Sequence, residues 1–199
     1  MWPSDFAQAR NWLQKRLEQG PVEGWSEYLP PRHEFEQVRE AAVLVLLVWR
    51  AEGPTVVLTR RSAFLPTHAG QISFPGGKKE ALDTSPIDTA LREAREEIGL
   101  EPGSVSVLGT LPRLVTITHF SVVPVVGLIA PPFELVPQPD EVAEIFEVPL
   151  VRVMQHDQYL RHVFERDGVR GHYLSLSYQR HFIWGATAAM LRLLSLTLK

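Results

Sequence analysis

Glu93, Glu96 and Glu97 are the residues of this chain whose type and spacing most readily do chemistry. At about 100° per residue they fall within a sector of roughly 100°, so one short helix would present three carboxylates side by side. Carboxylates three and four residues apart repel one another by a few tenths of a kcal/mol per pair, and a hard dication reverses that sign. Mg²⁺ and Mn²⁺ seek oxygen, sharing their positions between a few carboxylates, substrate phosphates and water. The other reading is a solvated acidic stripe, the ordinary fate of a glutamate-rich helix face, and spacing alone leaves the two level.

The element that must carry these residues is legible around them. Ile87, Leu91, Ala94 and Ile98, spaced four, three and four, lie nearly opposite and predict a helix anchored to a sheet with its glutamates facing outward. Ser85 can cap that helix, Pro86 suits its first position, Asp88 stands three after the cap, and Gly99 ends it. Just upstream, Gly76-Gly77 gives a glycine loop leading into the helix, a place to hold a divalent metal against a phosphate.

The whole string from Gly77 to Leu100 resembles the Nudix box, G-x5-E-x7-R-E-U-x-E-E-x-G-U with U apolar, the signature of hydrolases that cut nucleoside diphosphates linked to another group. Gly77, Arg92, Glu93, Ala94, Glu96, Glu97, Gly99 and Leu100 match, and Asp83 stands where the first glutamate is expected. Asp83 is one methylene shorter, and eight residues rather than seven separate it from Arg92. The resemblance implies that Arg92 is structural and ties the loop to the helix. It implies that Glu93, Glu96 and Glu97 hold Mg²⁺ or Mn²⁺, with the backbone carbonyl of Gly76 as a further ligand. It also implies a Nudix-type α/β/α sandwich with a mixed β-sheet.

A second pattern runs upstream: Val57-Leu58-Thr59-Arg60-Arg61-Ser62, then Gly70, then Phe74-Pro75-Gly76-Gly77. It is similar to the element that marks the coenzyme A pyrophosphatase branch of the family, L-L-T-x-R-(S/A)-x3-R-x3-G-x3-F-P-G-G. Arg61, Ser62, Gly70 and the FPGG match, whereas the branch's second arginine falls on Pro66, with Arg60 or His68 as replacement donors. Arg60, Arg61, Ser62 and Gly77 are the substrate-binding candidates. Guanidinium forks on phosphate, which favours a clamp at Arg61 and leaves it level with an exposed strand end at Arg60. Lys78 and Lys79 are weaker candidates.

Hydrolysis needs a base or a group that orients water. Many Nudix enzymes use a glutamate from a distal loop, and Glu141, Glu144 and Glu147 follow the proline-rich stretch 131–139 here. Glu141 is the first choice and Glu144 the second, against the alternative that all are surface charges flanking a strand. His68 and His119 could meet substrate, and none of the histidines is assigned to metal because carboxylate oxygens suit Mg²⁺ better.

The chain of 199 residues, 45% apolar, is long enough for one full core and reads as a single domain over 1–199. A net charge of −3 argues against a broad nucleic-acid footprint, so local arginines must attract an anionic substrate. The longest apolar run, Ala41 to Trp49, is far short of the ~20 residues of a membrane helix, and the opening residues do not look like a signal peptide. A soluble, cytoplasmic protein without a membrane partner is expected. With no cysteine, disulfides and thiolate catalysis are excluded.

Periodicity and punctuation predict an opening helix from Asp5 to Gln19 with Phe6, Ala9, Leu13 and Leu17 on one side, then a loop to about Phe35. Strands are predicted at Ala41–Arg50 and Thr55–Arg60, at Val105–Leu111 and Phe120–Leu128, and as a hairpin of Tyr159–Glu165 and His172–Tyr178 about Asp167-Gly168. The last element, Gly185 to Leu198, is apolar nearly all round and should be buried in the core or in a homodimer contact. By resemblance, the product chemistry is cleavage of coenzyme A or acyl-CoA to 3′-phosphoadenosine 5′-phosphate and (acyl-)4′-phosphopantetheine. The alternatives are hydrolysis of ADP-ribose, NADH or a dinucleotide, or a nucleotide-binding module without catalysis.

Overall fold

The computed structural model describes residues 2–3, 5–28, 37–166 and 169–199. Helix α1, Phe6–Gln19, starts where Asp5 Oδ1 accepts the backbone N–H of Ala7 at 2.8 Å, and stops at Gly20, whose φ of 73° suits glycine. Its buried Ala9 and Leu13, with Phe6 and Leu17 beside them, form the predicted stripe. The strands and helices that follow are β1 (Arg39–Val48), β2 (Thr55–Arg61), β3 (Ile72–Ser73), β4 (Gly76–Lys78), α2 (Pro86–Ile98), β5 (Ser106–Thr110) and β6 (Leu114–Val115). After them come β7 (Phe120–Ile129), β8 (Val142–Pro149), α3 (Leu150–Val153), β9 (Leu160–Arg166), β10 (Val169–Tyr178), β11 (His181–Trp184) and α4 (Gly185–Thr197).

The main sheet runs β3-β2-β1-β7-β5, with β4 also on β1, β6 on β7 and β8 on β2. Strand β1 is parallel to β7 over ten pairs from Arg39↔Phe120 to Val48↔Ile129, while its other neighbours are antiparallel, so the sheet is mixed. A strand at that centre is covered on both faces, which is why β1 reads as an unbroken apolar run. Ala42, Leu44, Leu46 and Val48 pack with Ala90, Ala94 and Ile98 of α2. The alternate residues Val45 and Leu47 pack with α1 and α4. This is the expected α/β/α sandwich.

Strands β9, β10 and β11 make a second antiparallel sheet, whose Leu174, Leu176 and Ile183 join the core under α4. The pairing of β9 with β10 matches the predicted hairpin, and its turn residues Asp167 and Gly168 lie outside the described residues, as do His33 and the end of the loop near Phe35. Helix α4 is buried from Thr187 to Thr197. Its apolar surface packs inside the chain, the core position that its composition allows. No described helix is long and apolar enough to cross a membrane.

Candidate active site

Helix α2 begins and ends on its local signals. Ser85 Oγ accepts the Asp88 N–H at 3.2 Å, Pro86 is the first helical residue, and Gly99 takes the left-handed conformation at φ 65°. Its packed face is Ala90, Ala94, Glu97 and Ile98, with Ile87 and Leu91 at the margin.

Arg92 binds the preceding loop to the helix. Its Nε and Nη2 donate to the two oxygens of Asp83 at 3.1 and 3.0 Å, and Nη2 donates also to the Lys78 carbonyl at 2.9 Å. Asp83 is 5% exposed and accepts further from the Glu80 N–H and the Thr89 hydroxyl. The Arg92 fork, then the Glu80 N–H, hold its carboxyl well below the usual range despite burial. The shorter side chain and the extra residue of the box therefore still deliver a bidentate pair.

The three glutamates do not share one exposure. Glu96 is 57% exposed, Glu93 is 15% exposed, and Glu97 is buried at 2%. The expectation that all three face outward is corrected. The Phe74–Gly77 segment passes over the helix, and the Gly76 N–H donates to Glu97 Oε2 at 3.1 Å while Arg61 Nη1 donates to Oε1 at 3.4 Å.

Both glycines are dictated by that close passage. A Cβ on Gly76 would stand 2.5 Å from the Ala42 carbonyl oxygen, and one on Gly77 would stand 2.6 Å from the Glu93 carboxylate.

Burial pushes the Glu97 carboxyl up to about 7, with Glu93 and Glu141 adding to the rise and the Gly76 N–H and Arg61 opposing it. Burial likewise raises Glu93, and Glu96 and Glu141 raise it further against the pull of Arg92. The site is a group of carboxylates short of positive charge, and an all-oxygen donor set of this kind fits Mg²⁺ or Mn²⁺. Among the described residues no three carboxylate or imidazole groups stand converged as a finished ligand set. Glu97 is turned to Arg61 and Gly76, and Glu93 and Glu96 are each turned to Arg92 Nη1 at 3.0 Å. An entering cation therefore competes with these guanidinium contacts.

Sheet alternation separates the two arginines that the sequence sets side by side. Val57 packs on the α2 face and Arg61 reaches Glu97 there. Val56 and Leu58 pack on the α4 face, and Arg60 points with them, donating from Nε to Glu144 Oε2 at 3.1 Å. Arg61 Nε is buried without a partner, a donor left over for an anion.

Glu144 also accepts from Arg180 Nη2 and from His181 Nε2, the latter at 3.2 Å. Burial opposes its ionisation, but the bonds from Arg60, His181 and Arg180 outweigh that and keep its carboxyl below the usual range. Glu144 and Arg60 thus lie on the face of β2 away from α2, bonded to each other. Glu147 stands further along β8, bound to Arg50 and to Thr55.

Glu141 is placed by the proline-rich loop. The N–H groups of Val136 and Gln138 donate to the carbonyls of Ile98 and Glu97, both at 2.9 Å, satisfying the open end of α2 and drawing the loop over it. The Glu141 carbonyl accepts the Ser62 N–H at 2.8 Å, and its carboxylate is exposed. Ser62 is itself buried, with Oγ accepting from the Phe64 N–H. His68 is exposed and bonded to Gln71 at 2.9 Å, and Pro66 is exposed. Arg180 and His181 belong to no motif, and no signal in the sequence points to them.

The NUDIX domain profile matches residues 38–168. The uncharacterized Nudix hydrolase NudL of Pectobacterium atrosepticum is 48% identical over 170 residues, covering 84% of this chain and 88% of that one. The protein of the same description from Klebsiella pneumoniae is 44% identical over 168 residues, covering 84% and 86%. In fold the chain is similar to RenU, a Nudix hydrolase from M. Smegmatis, with a TM-score of 0.50 at 24% identity over 60% of this chain and 75% of that one. The profile and these relatives establish that the chain belongs to the Nudix hydrolases, metal-dependent enzymes that cleave the diphosphate linkage of nucleoside diphosphate derivatives.

Proposed function

We propose that this hydrolase splits the diphosphate of coenzyme A or its thioesters, with Mg²⁺ or Mn²⁺ as the ion. The products are 3′-phosphoadenosine 5′-phosphate and 4′-phosphopantetheine or its acyl form. The observation that carries the reading is that Arg61 and Gly76, both members of the upstream branch pattern, contact the same buried carboxylate of Glu97.

Glu93, Glu96 and Glu97, with the Gly76 carbonyl, would hold the ion. An ion there supplies positive charge to the phosphate oxygens and makes water more acidic. Arg61 turns its fork to the diphosphate as Glu97 is drawn away, adding the buried Nε donor to the binding. Gly77 leaves the space beside Glu93 open. Glu141 accepts a proton from the attacking water at its carboxylate. The water oxygen bonds to phosphorus, the bridging P–O bond breaks, and the leaving phosphate monoester carries away that bond's electron pair. Ser62 serves by holding the backbone of Glu141.

One observation favours a second reading. Pro66 carries neither charge nor N–H where the branch has an arginine, which suits ADP-ribose, NADH or a dinucleotide, substrates lacking the third phosphate.

Incubation of the purified protein with CoA, dephospho-CoA, ADP-ribose and NADH, each with Mg²⁺, separates the readings by product chromatography. On the first reading CoA is expected to be turned over at least about tenfold more efficiently than dephospho-CoA, since a site that recognises the 3′-phosphate loses that interaction when the phosphate is missing. Equal turnover of the two contradicts recognition of the 3′-phosphate and moves the assignment to the second reading.

A further inference from the structure

Strand β8 meets β2 with one residue too many. Arg60 stands opposite Glu144 but Arg61 opposite Val142, so Ala143 is the extra residue of a β-bulge. Past the bulge the Ser62 N–H meets the Glu141 carbonyl at 2.8 Å. In regular pairing Ser62 would face Val142, and Glu141 would stand one residue further out, about 3.3 Å away. Bulges leave backbone groups unpaired and re-aim neighbouring side chains, which makes them costly to hold and frequent beside active sites.

What holds this one is on the far face of the sheet. The Glu144 carboxylate is gripped from its own sheet by Arg60 and from the second sheet by Arg180 and His181. The His181 ring lies flat on Phe146, with centroids 3.7 Å apart and planes 2° from parallel, two residues along the same strand. Tyr178 pairs with His181, so Gln179 and Arg180 form the turn between β10 and β11, and Gln179 sits at φ 51°, a conformation that glutamine adopts at a cost. A strained tip that delivers two donors to one carboxylate is more than a connection.

We infer that Glu144, held by Arg60, Arg180 and His181, is a positioning residue: it fixes the bulge at Ala143 and so sets Glu141 against the metal helix. The tip of the β10–β11 hairpin is then part of the catalytic apparatus although it touches no substrate. This rests on the reading of Glu141 as the base.

The test compares E144A, E144Q and R180A with the parent enzyme by steady-state kinetics and by hydrogen exchange of the Ser62 amide in NMR. Arg180 is 76% exposed, so R180A removes one arm of the grip at little cost to the fold. In E144A, kcat should fall roughly tenfold to a hundredfold with KM within about twofold, as for a misplaced catalytic group. Exchange at Ser62 should quicken at least about tenfold. E144Q, which still accepts hydrogen bonds, should recover part of kcat, and R180A should shift both readouts in the same direction by a smaller factor. Unchanged Ser62 exchange in E144A and R180A overturns the inference, as does quicker exchange with unchanged kcat. If E141Q is itself fully active, the base assignment fails, and the exchange measurement still decides whether Glu144 holds the bulge.

Discussion

Glu97→Gln is expected to cut turnover by at least about a hundredfold with the fold intact. The amide keeps the shape, and its single oxygen can take over the bond from the Gly76 N–H while its NH2 turns from Arg61, but it removes the charge that a cation needs. Stability should change in the opposite sense. In the metal-free protein the folded carboxyl ionises only near about 7, above its unfolded value, so the folded state binds the extra proton between roughly 4.5 and 7. Stability from this group is therefore present at low pH and lost as pH rises through that window. At pH 8 the glutamine variant without metal should be more stable than the parent by on the order of 2–3 kcal/mol, and its unfolding midpoint should be flatter from pH 5 to 8. Thermal unfolding in a chelating buffer measures this, and a variant that keeps its turnover refutes the role given to Glu97.

Arg92→Ala should be the most damaging change to the fold outside the hydrophobic core. It strands Asp83, which is nearly buried, and releases the loop at Lys78. Removing one partner of such a pair costs about 3 kcal/mol or more, measurable by urea unfolding at pH 7. Asp83 has its folded pKa depressed, so its contribution is complete above the ordinary carboxylate range and fades as pH falls below about 4. The deficit of Arg92→Ala should shrink in acid for the same reason. Arg92→Lys should not restore stability, because an ammonium cannot span both Asp83 oxygens and the Lys78 carbonyl in one plane. A loss under about 0.5 kcal/mol at pH 7 would remove Arg92 from its structural role.

What the sequence discloses is what local physics determines. Ser85, Pro86 and Gly99 act within a turn of themselves, so the bounds of α2 are legible, and the burial of β1 on both faces follows from its apolar run. The exposure of Glu97 is not legible, because it depends on where the Phe74–Gly77 segment crosses a helix twenty residues later. The separation of Arg60 from Arg61 was available from strand alternation, which puts neighbours on opposite faces. The bulge at Ala143 between Glu141 and Glu144 is carried by no motif, and the contacts that Glu144 accepts come partly from a second sheet. Strand β11 escapes notice because it has only four residues and α4 follows it at once.

Calorimetric titration of Mg²⁺ or Mn²⁺ into the metal-free protein, parent beside Glu97→Gln, bears most directly on whether this anionic group exists to take a cation. Saturable binding by the parent, weakened at least about tenfold in the variant, is the predicted result. Absence of binding in the parent even with CoA present, or equal affinity in the two proteins, would contradict it.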